Sequence, residues 1–157
     1  MFKISYDILR SEFDECEDIA MASDLEVLAS LLIGDIVLSD FEQDIRFIDE
    51  GILYTLYNLS ECHFYSKKLG VSETFQALEC DASLTISSNS KVVNLISGSS
   101  RMSTMRIDTE EFERSLSKFY RSTMLSVDQF RPGLSKSVRF QKLFRFSDAL
   151  LSIDVGS

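Results

Sequence analysis

The sequence contains one histidine (His63), one proline (Pro132), three cysteines and no tryptophan, and each scarcity removes a class of function. Cys16, Cys62 and Cys80 are odd in number, widely spaced and without a C-x-x-C pair, which argues against a disulfide framework and a zinc knuckle. A hydrolase of the Ser-His-Asp or Cys-His kind would have to use His63 as its base. Cys62 precedes it directly, yet adjacent helical residues point about 100° apart, so the pair cannot face one another as nucleophile and base. His63 is therefore read as a structural residue on a helix flank, whose replacement by alanine should leave any binding activity in place and cost at most about 1 kcal/mol. Gly51, Gly70, Gly98 and Gly133 stand alone, so neither G-x-G-x-x-G nor G-x-x-x-x-G-K-S/T occurs to cradle phosphate. The acidic run from Glu12 to Asp18 lacks the glycine of a calcium loop. No catalytic residue, metal or cofactor is expected. No stretch approaches the roughly 18 apolar residues of a membrane span, and residues 1–7 hold no signal-like apolar run, so a soluble, cytoplasmic protein is expected.

What is present is a large apolar fraction and segregated charge. At 45% hydrophobic, the 157 residues suffice for one full core, and one domain spanning 1–157 is expected. Residues 1–81 carry 18 Asp/Glu against 5 Lys/Arg, a net of −13, whereas residues 82–157 carry 7 against 11, a net of +4. A one-signed surface attracts cationic molecules and repels nucleic acid and anionic lipid.

Two periodicities alternate along the chain. Phe2, Ile4, Tyr6 and Ile8 have period two and predict a strand over 2–10. Ser11 and Asp14, with Phe13, Cys16 and Ala20 at helical spacing, predict a short acidic helix over 12–22. Val27, Ala29, Leu31 and Ile33 alternate up to Gly34-Asp35, and Ile36, Val37 and Leu38 follow, which predicts a hairpin turning at Gly34. Capping pairs at Ser39/Glu42 and Asp40/Gln43 precede Ile45, Ile48, Ile52, Leu56 and Leu59, predicting a long helix at about 41–69, kinked near Gly51 and ended by Gly70. Strands are expected over 76–87, 91–97 and 102–107 as a meander, followed by a helix over 109–127 capped by Asp108 and Glu111. The expected class is α+β, an antiparallel sheet covered by those two main helices. Beyond Pro132-Gly133, residues 134–151 fit either strand or helix: Val138, Phe140, Phe144 and Phe146 have even spacing, while Lys136, Arg139, Lys142 and Arg145 repeat every three.

Function is then a question of surfaces. Asp14, Glu15, Glu17 and Asp18 lie near the first strand, and Asp40, Glu42, Asp44, Asp49 and Glu50 cluster at the start of the predicted long helix; together they form the candidate partner-binding face. The basic, Phe-rich tail has the composition of a single-strand nucleic-acid strip, but phenylalanines at this density suit a core, with the cations neutralising the acidic half of the molecule. In size, acidity and lack of catalytic motifs the chain resembles the immunity proteins of bacterial contact-dependent inhibition and related polymorphic toxin systems. The resemblance implies a non-enzymatic protein that covers the active-site surface of a cognate toxin with a basic surface, such as a nuclease, and touches neither nucleic acid nor membrane directly. A DNA mimic inhibiting a DNA-binding enzyme, and a small enzyme with a carboxylate-based site, are the alternatives.

Overall fold

The computed structural model describes residues 1–14, 19–98 and 102–156. Strand β1 (Lys3–Arg10) forms where period two was read. Phe2 and Tyr6 face the long helix α3 (Thr109–Phe130), with Phe2 5.6 Å from Phe112 and Tyr6 5.3 Å from Phe119 between ring centroids. The helix expected over 12–22 does not form in its described part. Residues 11–14 are non-helical, Ile19–Met21 make one 3₁₀ turn, and 15–18 lie outside the described residues. The Ser11 hydroxyl accepts the Phe13 N–H at 3.1 Å, the local bond by which serine competes with helix rather than starting one.

Helix α1 (Asp24–Ser30) begins instead at Ser23, whose hydroxyl accepts the Glu26 N–H at 3.1 Å and donates to the Glu26 carboxylate at 3.2 Å. Val27, Leu28 and Leu31 are buried, so the apparent alternation before Gly34 is the inner stripe of this helix rather than a strand. Gly34-Asp35 is correspondingly not a turn: both residues lie inside β2 (Ile33–Ser39), which pairs antiparallel with β1 and with β3 (Asp44–Gly51). Glycine is required at position 34 because a Cβ there would stand 1.9 Å from the Asp7 carbonyl oxygen. Gly34→Ala must push β1 off β2, and a loss of about 1–3 kcal/mol is expected in chemical denaturation. An unchanged midpoint would show that this approach is not as tight as described.

The long helix predicted at 41–69 is two elements. Its first part is β3, in which Ile45 and Phe47 point inward while Ile48 is exposed, and α2 (Ile52–Leu69) starts directly after Gly51. The end was read correctly: Gly70 has φ 70° and its N–H reaches the Ser66 carbonyl at 2.9 Å, with Lys67 and Lys68 in the last turn. A second sheet follows as the expected meander, with one strand more: β4 (Glu73–Gln76), β5 (Ser83–Ser88), β6 (Val92–Gly98) and β7 (Met102–Asp108), paired in sequence order. Asp108 caps α3, accepting from Glu110 N at 3.0 Å and Glu111 N at 3.4 Å. The Glu111 carboxylate accepts the Phe2 N–H at 2.5 Å, tying α3 to the start of β1.

The tail is helical, with a 3₁₀ turn at Leu134–Lys136, α4 (Val138–Leu143) and α5 (Ser147–Leu151). The fold is α+β with two antiparallel sheets, of three and four strands, where one was expected. One cluster of buried side chains joins Ile36, Leu38 and Phe47 of the first sheet, Leu56 of α2, Leu84 and Leu95 of the second sheet, Phe112 of α3, and Phe140 and Phe144 of the tail.

Candidate functional site

The turn between β2 and β3 gathers three of the predicted surface acids. Asp40 Oδ1 accepts the N–H groups of Glu42 at 2.8 Å and Gln43 at 2.9 Å, and Asp40 N–H donates to the Gln43 carbonyl at 3.1 Å. These are the bonds that the sequence offered as a helix cap, and here they close a hairpin. The Gln43 side chain donates to the Thr104 carbonyl of β7, fastening the turn to the second sheet. Glu42 is exposed, and exposed Asp44 pairs with Arg46 at 3.0 Å. Phe41, between Asp40 and Glu42, is 88% exposed. Beside the turn a cleft of about 210 Å³ is lined by Asp40, Phe41, Glu42, Arg106, Asp108 and Glu111, over a floor that includes buried Phe2. A larger cleft, about 540 Å³, continues along α3 past Glu110 and Arg114 to Lys118.

The other predicted acids fare differently. Asp14 is exposed, whereas Glu15, Glu17 and Asp18 lie outside the described residues. Asp49 has φ 55° and accepts from Arg10 Nη1 at 2.5 Å and Nη2 at 3.3 Å, and that guanidinium holds its carboxyl below the usual carboxylate range. Glu50 is a correction. It is fully buried, and its two oxygens accept Leu78 N–H at 2.7 Å and Glu79 N–H at 2.9 Å, so it organises the β4–β5 loop and presents nothing to a partner.

A buried polar chain passes through His63. The imidazole is fully enclosed between Phe64 and Phe112, each 4.9 Å away, with Nδ1 2.8 Å from Ser88 Oγ and Nε2 2.9 Å from Glu113 Oε1. Lys67 Nζ donates to the same Glu113 oxygen at 2.7 Å. An ionised Glu113 only accepts, so Nε2 carries hydrogen, and in the neutral imidazole Nδ1 accepts the Ser88 hydroxyl. The members match a serine–histidine–carboxylate set by type, but Ser88 is itself buried, and the three close on one another from α2, β5 and α3. The hydrogen bond from His63 holds the Glu113 carboxyl below its ordinary range, against the opposing effect of burial and with help from Lys67. Neighbouring Cys62 is buried, and desolvation pushes its thiol up to about 12, which leaves it protonated and unreactive.

Two of the tail cations are engaged with the rest of the molecule, while Lys136 and Lys142 are exposed. Arg139 donates to Asp24 at 2.9 Å and to the Ile19 and Ala22 carbonyls, while Arg145 forks onto Glu61 at 3.1 and 2.5 Å and lies over the Tyr65 ring. Phe140 and Phe144 are buried, so these side chains offer no stacking platform. Among the described residues no group of three or more His, Cys, Asp or Glu is arranged to hold a metal, and no helix is long and apolar enough to cross a membrane.

Comparison with family models, curated proteins and solved structures finds no match. The functional reading therefore stands on the surface itself. The residues that sequence reasoning missed are Phe41 and the Ser88–His63–Glu113–Lys67 chain. An isolated phenylalanine between Asp40 and Glu42 carried a signal, since it sits outside any apolar period, but the chain through His63 is assembled from three distant segments with no shared spacing.

Proposed function

We propose that this chain is a non-enzymatic binding protein, an immunity protein that neutralises a cognate toxin by covering its active-site surface, most naturally that of a basic nuclease. The observation that carries this reading is the disposition of charge. Arg139, Arg145 and Lys67 satisfy Asp24, Glu61 and Glu113 within the molecule, whereas exposed Glu42 and half-buried Asp40 make no ion pair among the described residues. A surface of that kind attracts a phosphate-binding protein, whose active site must be electropositive, and speeds encounter with it.

The test uses the protein encoded immediately upstream of this gene. Under this reading it carries a toxin domain, and the purified domain binds this chain. The double variant Glu42→Lys, Asp44→Lys should slow association by roughly tenfold, and raised salt should slow the parent protein similarly, while dissociation changes little. A metabolic enzyme upstream, or affinity indifferent to salt and to both reversals, would count against the proposal.

A further inference from the structure

We infer that the β2–β3 turn is the anchor of the interface: the Phe41 ring enters an apolar pocket on a basic protein partner, and the cleft beside it receives a lysine or arginine side chain from that partner. The inference rests on the binding reading above and names the partner chemistry that this site fits.

Phe41 is 88% exposed, the largest exposure of any large apolar side chain among the described residues. An aromatic ring left in water is unfavourable unless something covers it, and aromatic anchors carry a disproportionate share of interface energy. The turn that carries the ring has its backbone held on both sides. Asp40 takes the N–H groups of Glu42 and Gln43, and the Gln43 side chain is fastened to the Thr104 carbonyl. A ring on such a turn is carried by a backbone ordered in advance, so little backbone freedom is lost when a partner closes over it.

Charge selects the partner. The cleft adjoining Phe41 is lined by four acidic residues (Asp40, Glu42, Asp108 and Glu111) against Arg106 and the amino-terminal Met1. Phe2, Phe41 and Ile107 line the cleft beside these carboxylates and offer apolar surface to the alkyl stem of a long cationic side chain, and about 210 Å³ is the scale of one such side chain. Phosphate backbones are repelled by the same carboxylates, and a second copy of this chain, with a formal net charge of −9, has the wrong sign. A basic protein surface with an apolar pocket meets both requirements.

The probe is a phage-displayed library of random peptides, panned on the parent protein and counter-screened on Phe41→Ala. Because the ring is exposed, that variant should melt with the parent, and coincident melting curves establish that it is folded. The expected result is a set of clones that combine apolar residues with Lys or Arg and lose about tenfold or more affinity for Phe41→Ala. Failure to recover any clone that distinguishes the two proteins overturns the inference. The outcomes separate it from the reading beneath it. Clones that tolerate Phe41→Ala but are lost on Glu42→Lys with Asp44→Lys remove the anchor and keep the acidic interface. Clones that need Phe41 but ignore salt and both reversals keep the anchor and remove the basic partner.

Discussion

His63→Ala is expected to lower stability by about 3–5 kcal/mol, well beyond the roughly 1 kcal/mol that a flank position implies, because the residue is fully buried between two phenylalanine rings. Truncation leaves a cavity where the ring packs and strips Ser88 and Glu113 of a hydrogen-bond partner. For a chain of this size the melting temperature should fall by roughly 6–20 °C. The acid side of the stability profile carries a second signature. Glu113 has a folded-state pKa below its unfolded value, so its contribution is present above about pH 4.5 and is lost as pH falls through the lower folded value. His63→Ala removes the largest cause of that shift and should flatten this part of the curve. Thermal melts across that pH range check both; a melting temperature within about 2 °C of the parent, with the acid limb intact, would show that the chain does not depend on the imidazole.

Glu50→Ala should cost about 2–5 kcal/mol, since it orphans the Leu78 and Glu79 N–H groups behind a fully buried position. Glu50→Gln should be damaging too, because an amide keeps one acceptor but turns a donor toward an N–H. Neither change should alter the association rate of the folded fraction with a basic partner, in contrast to reversals at Glu42 and Asp44. Equilibrium unfolding measured beside stopped-flow association separates the two roles. A stable Glu50→Ala protein that associates slowly would return Glu50 to the interface.

The sequence was most legible where one periodicity had no rival. β1, the last two strands of the second meander, α3 with its Asp108 cap and the Gly70 terminus of α2 were read from local chemistry that tertiary packing did not override, whereas β4 was missed and β5 was read too long. It misled where a pattern served two structures. Ile45, Ile48 and Ile52 stand at helical steps, yet β3 ends and α2 begins between the last two, and Asp40 with Gln43 closes a turn as readily as it caps a helix. The Gly34 signal was sound in type but misassigned, since the glycine makes room for the Asp7 carbonyl instead of turning the chain. Of the acidic face, Asp40, Glu42 and Asp44 were legible as one group because they are neighbours on a single turn. Glu50 was not distinguishable from them, because its burial is set by a loop nearly thirty residues further on.

The order of the strands has a consequence for how the chain reaches this state. In both sheets every strand pairs with its neighbour in sequence, so every ladder except β1–β2, whose strands are joined through residues 11–32 and α1, closes only a short loop. The longest closures are the seating of α3 against β1, where Tyr6 meets Ser122 and the Phe2 backbone meets Glu111 and Ser115, and of Arg139 in the tail against Asp24, Ile19 and Ala22, each across more than a hundred residues. Folding kinetics should accordingly place the locally closed β2–β3 hairpin and second meander before these entropically expensive docking events, with the Phe2 and Tyr6 contacts among the last native interactions to form.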